Sequence, residues 1–160
     1  MVNNLMYKVF FILLLFSNLI FQINCAQAQF NSKYNSLNHS RTSVEIDKTR
    51  ELIELRRYQE AENKINQHLK EKPRDAQWRY LKALLLAEVG TKKNEKFKIS
   101  KSIEIFERIT EEFPELAEPY NNLAVLYIWT GETMKARESL EIAIANRPDY
   151  ILAYENLADL

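Results

Sequence analysis

The 160-residue sequence is poor in turn-forming residues, with 2 glycines and 4 prolines. A sandwich or barrel of many short strands needs such residues at most of its connections, so the composition argues against these all-β folds. Two isolated glycines also cannot form the glycine-rich loop that holds phosphate in nucleotide-binding proteins. We therefore expect no nucleotide cofactor.

Neither sign of charge is in excess, because 22 lysine and arginine residues balance 22 aspartate and glutamate residues. Proteins that bind the nucleic-acid backbone carry basic surfaces, so zero net charge gives no case for a nucleic-acid partner. Hydrophobic residues make up 46% and charged residues 28%, a balance typical of a globular, charge-rich helical protein.

Apolar residues are unevenly spread, and only two polar residues interrupt the run from Val9 to Phe21. Lys8 precedes this run, and Ala26-Gln27-Ala28 follows it as a small-residue cleavage site. A basic start, an apolar run and such a site are typical of a secretory signal peptide. Residues 1–28 are therefore predicted to be a signal peptide that is cleaved after Ala28.

This assignment has two alternatives. Residues 5–23 form a longer stretch of moderate hydrophobicity that would serve as an uncleaved inner-membrane anchor. Cys25, the only cysteine, would be acylated in a lipoprotein, but Gln22 and Asn24 match such a site poorly. We expect export to the periplasm of a Gram-negative bacterium. Residues 29–41 are rich in asparagine and serine and are predicted to form a flexible leader.

A 34-residue repeat organises the remaining sequence. Residues 117–126 and 151–160 are 34 positions apart, and five of the ten aligned positions are identical. Gly90 and Gly131 are instead 41 residues apart, which one seven-residue insertion between Gly90 and Pro114 explains. The predicted units are residues 42–75, 76–116, 117–150 and a partial unit at 151–160.

Each complete unit has the pattern of two helices. In the third unit, Tyr120, Leu123 and Tyr127 recur with the spacing of one helix face. A second face follows after Gly131. Both Gly131 and Gly90 are therefore predicted to lie in the turn between the two helices of a unit.

The pattern resembles the tetratricopeptide repeat (TPR) family over residues 42–160. The matching positions are Ala61, Ala83, Leu86, Phe106, Tyr120, Leu123, Ala124, Tyr127, Ala136, Leu140, Ala143 and Pro148. Ala124 replaces the family's usual glycine but keeps a small side chain. The resemblance implies an all-α fold: a right-handed superhelical solenoid of about three repeats and a partial fourth.

The resemblance also implies a binding groove on the concave face, which is lined by the first helix of each unit. By the family's pattern, the groove residues are Arg50, Ile53, Gln77, Tyr80, Leu84, Glu88, Asn121, Val125, Ile128 and Trp129. Their aromatic and apolar members suit an extended peptide or a partner helix. For Trp129, packing against the following helix is an equal alternative. The family's specialised clamp for a C-terminal carboxylate is not expected, because Ile46, Arg50 and Leu81 occupy its positions.

The insertion is rich in lysine and contains Lys92, Lys93, Lys96, Lys98 and Lys101. It is expected to lengthen the turn of the second unit or to extend the second helix backwards. A solvated loop is the simpler interpretation. The alternative is a weak contact with anionic lipid head groups or an acidic partner.

The sequence contains no arrangement of residues typical of catalysis. His39 lies in the leader, and His68 is interpreted as a packing residue. No histidine, cysteine or carboxylate spacing suggests a metal site, so we expect no enzyme, metal or cofactor. The leading hypothesis is a non-catalytic envelope scaffold that binds a partner's peptide or helix. The alternatives are a membrane-anchored assembly factor, or a TPR segment of a truncated longer protein with an enzymatic or effector domain.

Overall fold

The computed structural model describes residues 42–160, so the predicted signal peptide and leader lie outside the described residues. All regular secondary structure within this range is α-helical, and helix α1 occupies residues 42–54. The following helices are α2 (Tyr58–Glu71), α3 (Ala76–Lys93), α4 (Lys96–Glu112), α5 (Ala117–Thr130), α6 (Thr133–Asn146) and α7 (Ile151–Ala158). Across residues 42–160, none of these helices is both long and apolar enough to cross a bilayer.

Residues Ile46–Leu160 form one compact unit. From α2 onward, each helix packs against the next. Helix α5 also contacts α3 and α7, the first helices of the neighbouring pairs. Such neighbour-to-neighbour stacking is the architecture of a helical solenoid, in which each helix pair buries its apolar face only against adjacent pairs. The all-α solenoid expected from the repeat is confirmed.

Small side chains lie where the helices cross. Ala61, Ala83, Ala124, Ala136 and Ala143 are all fully buried, which allows the helix axes to approach closely. Larger residues fill the space between the pairs. The two core clusters are centred on Ile65, Trp78 and Leu81, and on Phe106, Leu126 and Leu140.

The prediction for Gly90 is wrong, because this residue lies inside α3 and not in a turn. Helix α3 continues to Lys93, and Asn94, with φ of 55°, is the left-handed residue that ends it. Asparagine often takes this role in place of glycine. Gly131, by contrast, does end α5, with φ of 82°.

The insertion also differs from a simple loop, because its residues extend both helices of the second pair. Helices α3 and α4 contain 18 and 17 residues, whereas α5 and α6 contain 14 each. Only Asn94 and Glu95 separate α3 from α4. The extension of α4 backwards is therefore correct, but it is matched by a forward extension of α3.

Gly90 is required for the close approach of the two lengthened helices. A Cβ atom at this position would lie 2.8 Å from Cγ1 and 3.1 Å from the backbone nitrogen of Ile99. Ile99 is itself buried, so it has little room to move. The helical preference of alanine, worth up to about 1 kcal/mol, is therefore opposed by an overpacking cost of about 1–3 kcal/mol.

We expect Gly90→Ala to lower the free energy of unfolding by about 1 kcal/mol and Gly90→Val to lower it further, as measured by urea denaturation. Gly131→Asn is the control, since asparagine tolerates the left-handed conformation and a Cβ atom at position 131 would meet no other atom within 4 Å. A Gly90→Ala protein as stable as the wild type would show that the helices do not need this contact.

Candidate functional site

A cavity of about 240 Å³ opens where the first helices of three successive pairs meet the last turn of α4. We call it the groove cavity. Its walls are mostly apolar, with a few polar groups at the mouth. The lining residues are Ile46, Arg50, Ala76, Gln77, Tyr80, Ile109, Leu116, Glu118 and Pro119.

The local sequence explains why α3 begins at this cavity. Asp75 is the N-cap of α3, and its Oδ1 accepts hydrogen bonds from the backbone nitrogens of Gln77 and Trp78 at 3.2 and 3.4 Å. Such caps satisfy backbone donors that the first turn leaves unpaired. The cap fixes the start of the helix and so places Ala76 and Gln77 on the cavity wall.

Helix α5 begins differently at the same cavity. Its N-cap is Leu116, which makes no side-chain capping bond and is 39% exposed. Leucine is a poor N-cap because it offers no acceptor to the backbone. Its apolar side chain instead lines the groove cavity beside Pro119. The residue at the start of α5 therefore contributes an apolar side chain to the cavity wall and no capping bond to the helix.

Tyr80 is held rigidly on the cavity wall. Its hydroxyl accepts a hydrogen bond from Nδ2 of Asn122 at 2.8 Å, and its ring meets Phe106 edge to face at 5.5 Å. Burial raises the pKa of Tyr80, although Asn122 and the charge of Arg50 oppose the rise. The hydroxyl therefore stays protonated at neutral pH and keeps its proton for a further acceptor.

Arg50 supplies a charge that no residue of the described chain neutralises. Its guanidinium lies 5.8 Å from the centre of the Tyr80 ring, as in a cation–π contact. No carboxylate within residues 42–160 lies within salt-bridge distance of it. Glu118, on the opposite wall, is paired with Arg147 at 2.6 Å. Of the two charged residues that line the cavity in the described part of the chain, Arg50 is thus the one left without a salt-bridge partner.

The structure brings only some of the predicted groove residues together. Arg50, Gln77 and Tyr80 line the groove cavity. Val125, Ile128 and Trp129 are 43%, 41% and 39% exposed, on α5 but outside the cavity lining.

The other predicted groove residues are engaged within the fold. Leu84 is half-buried against both core clusters. The Glu88 carboxylate pairs with Lys92 and accepts a hydrogen bond from the Tyr58 hydroxyl at 3.2 Å. Ile53 and Asn121 do not lie on an exposed face, since they are 7% and 2% exposed. Asn121 is covered by α7, where Nδ2 of Asn156 donates to its Oδ1 at 2.8 Å.

The residues of the repeat pattern lie mostly in the interior. Those less than 9% exposed are Ala61, Ala83, Phe106, Leu123, Ala124, Tyr127, Ala136, Leu140 and Ala143. Leu86 and Tyr120 are half-buried, and Pro148 is exposed between α6 and α7. His68 packs as well: its ring stacks on Trp78 at 4.2 Å, and its Nε2 lies 2.9 Å from Oδ2 of Asp75.

Six residues that line the cavity are not among the predicted groove residues: Ile46, Ala76, Ile109, Leu116, Glu118 and Pro119. A helix-face pattern predicts which side chains share a stripe, but it does not predict where the ends of two helices diverge and leave a gap. The apolar N-cap at Leu116 is the one sequence signal that could have indicated the gap. Within residues 42–160, no group of histidine, cysteine or carboxylate side chains could hold a metal ion.

The fold and the groove define a helical-repeat protein with a surface cavity between its first helices. No protein-family model matches the sequence. No curated protein matches it either. Among solved structures, the chain is similar to YrrB, described as a TPR protein with an unusual peptide-binding site, with a TM-score of 0.58 and 25% identity. The alignment covers 68% of this chain and 52% of YrrB, so the chain spans about half of that protein's length.

This match and the stacking of helix pairs show that the chain has the fold of a tetratricopeptide repeat solenoid. The resemblance seen in the sequence is thereby confirmed at the level of fold.

Proposed function

We propose that this chain is a non-catalytic adaptor that binds an extended segment of a partner protein on its concave face. The groove cavity is the anchor point of the bound segment. The observation that carries this proposal is Arg50, which has no salt bridge within residues 42–160, beside an apolar cavity whose walls come mainly from three successive first helices.

The size of the cavity favours a peptide side chain as its occupant. Its volume of about 240 Å³ lies below the roughly 300–1,000 Å³ that is typical of small-molecule sites. It is still several times the roughly 30 Å³ that a water molecule occupies in the liquid. One aliphatic or aromatic side chain therefore fits the apolar walls formed by Ile46, Leu116 and Pro119.

The polar groups at the mouth define the neighbouring part of the ligand. Arg50 attracts a carboxylate, and a charge-assisted hydrogen bond is about twice as strong as a neutral one. The exposed amide of Gln77 offers both a donor and an acceptor to a peptide backbone. The expected ligand is thus an extended segment with an apolar side chain close to an aspartate or glutamate.

Selection from a displayed peptide library tests this specificity directly. We expect the wild-type chain to enrich peptides that place an acidic residue next to a large apolar one. Ala76→Phe should abolish the enrichment, because the added ring occupies the mouth of the cavity. Ala145→Phe, at an exposed position of α6, is the matched control and should select the same peptides as the wild type.

Enrichment of peptides with no common acidic residue, or equal behaviour of the two phenylalanine variants, would rule out the groove cavity as the anchor point.

We propose further that the chain acts in the bacterial cell envelope after export to the periplasm. The support is the N-terminal sequence, in which Lys8, the apolar run and Ala26-Gln27-Ala28 have the order of a signal peptide. Mass analysis of the chain recovered from cells tests this point. A mature N-terminus at Gln29 is expected, and a retained segment at residues 5–23 would support the membrane-anchored alternative instead.

A further inference from the structure

The turn between α3 and α4 has a composition that the fold does not explain. We call residues 93–97 the α3–α4 tip. Helices α3 and α4 are four and three residues longer than α5 and α6. At a rise of 1.5 Å per residue, this hairpin is longer than the α5–α6 hairpin by about 5 Å.

Phe97 is placed at the α3–α4 tip without any packing role. Its side chain is 74% exposed, more than any other large apolar side chain within residues 42–160. A large exposed aromatic residue gains nothing from the hydrophobic effect in the isolated protein. Phe106, nine positions later in the same helix, is fully buried. The exposure of Phe97 is therefore a property of the tip and not of α4 as a whole.

The lysines of the insertion fall into two groups. Three of them are neutralised locally: Lys92 pairs with Glu88, Lys98 with Glu95 at 2.6 Å, and Lys101 with Glu104 at 2.7 Å. Within the described residues, Lys93 and Lys96 have no carboxylate at salt-bridge distance.

Lys96 is also the first residue of α4, where the helix dipole disfavours a positive charge. A lysine there and an exposed phenylalanine beside it both run against the local stability of the helix. Departures of this kind from local preference are concentrated at functional surfaces.

We propose that the α3–α4 tip is a contact for an anionic lipid surface. Phe97 enters the interfacial region of the bilayer, and Lys93 and Lys96 contact the phosphates of the head groups. Aromatic side chains favour this region, and lysines near an anionic surface are attracted to it. The proposal narrows the predicted contact of five lysines to two lysines and one phenylalanine, and it is independent of the peptide groove.

The shape of the tip favours a lipid surface over an acidic protein. A specific protein interface buries about 800 Å² on each partner, which a five-residue tip supplies only in small part. A head-group surface requires no complementary shape, because lipids move to meet the side chains. A single such contact gives weak, reversible binding that is sensitive to salt.

Cosedimentation of the full chain with vesicles tests the proposal. Partition of the chain is measured into equimolar phosphatidylglycerol–phosphatidylcholine vesicles and into phosphatidylcholine vesicles, and the difference between the two values is compared. Any contribution of the N-terminal segment that does not depend on lipid charge cancels in this difference. We expect Phe97→Ser and Lys96→Glu each to reduce this difference at least about fivefold. Lys96→Glu should also raise the melting temperature slightly, because glutamate suits the first turn of a helix.

Two matched controls separate the tip from the rest of the surface. Met134 is also the second residue of a helix and is 68% exposed, so Met134→Ser removes an equally exposed apolar side chain elsewhere. Lys64→Glu reverses the charge of an exposed side chain on α2. Both variants should sediment as the wild type does.

Equal losses in the tip variants and the controls would overturn the proposal, as would wild-type partition that does not depend on phosphatidylglycerol. Binding of poly-glutamate that requires Phe97, without binding to anionic vesicles, would overturn it in favour of an acidic protein partner.

Discussion

Phe106→Ala is expected to lower the free energy of unfolding by about 3–5 kcal/mol, the range found when a buried phenylalanine is truncated. Phe106 is fully buried in α4, and its ring meets Tyr80 edge to face at 5.5 Å. The loss combines the transfer of apolar surface with a cavity that neighbouring helices cannot close. Native domains are stable by about 5–15 kcal/mol, so a large part of the total stability would disappear.

Phe97→Ala provides the internal control for this experiment. It removes the same atoms from the same helix, but Phe97 is 74% exposed. Substitutions at such positions change stability by less than about 0.5 kcal/mol. Urea denaturation of the two variants should therefore give midpoints that differ widely. Similar midpoints for both would contradict the placement of Phe106 between the helix pairs.

Reversing the charge of Arg50 is expected to weaken binding strongly while it leaves the apolar walls of the cavity intact. A hydrogen bond to a charged group contributes about 1.5–3 kcal/mol, and about 1.4 kcal/mol corresponds to a tenfold change in affinity. Arg50→Ala should thus lower the affinity for an acidic peptide about tenfold. Arg50→Glu should lower it about a hundredfold, because the like charges also repel. Fluorescence anisotropy with a peptide from the library selection measures both changes.

The fold should not suffer from this change, because Arg50 is exposed and takes part in no salt bridge within residues 42–160. Arg137→Glu, at an exposed position of α6, is the control for net charge and should leave the affinity unchanged. The effect of Arg50 should shrink as salt is added, since exposed charges are screened. Equal affinity of Arg50→Glu and the wild type would exclude an electrostatic contact at the cavity mouth.

The repeat in the sequence carries most of the information about packing. Only small side chains fit where two helices cross, so the small residues at positions 124 and 136 of the repeat pattern predict such a crossing. Ala124 and Ala136 are both fully buried there. The error at Gly90 has a physical reason: glycine serves both as a left-handed cap and as a gap for a neighbouring helix. Sequence spacing does not distinguish these uses, and Asn94 took the role of cap.

The site was harder to predict than the fold. Arg50, Gln77 and Tyr80 are groove positions in the pattern of the resembled family, and they do line the cavity. Asn121 is a groove position in the same pattern but is buried, because α7 packs over it and Nδ2 of Asn156 donates a hydrogen bond to it. Burial of this kind depends on the neighbouring helix, so a pattern within one helix cannot show it.

Photocrosslinking in cells most directly tests whether the concave face binds a partner segment. A photoreactive residue at Gln77 lies on the groove cavity, and the same residue at Gln67 lies exposed on the second helix α2. We predict a discrete crosslinked protein from position 77 that the selected acidic peptide competes away, and none from position 67. Equal crosslinking from both positions, or crosslinking at 77 that the peptide does not displace, would contradict the assignment of the groove cavity as the binding site.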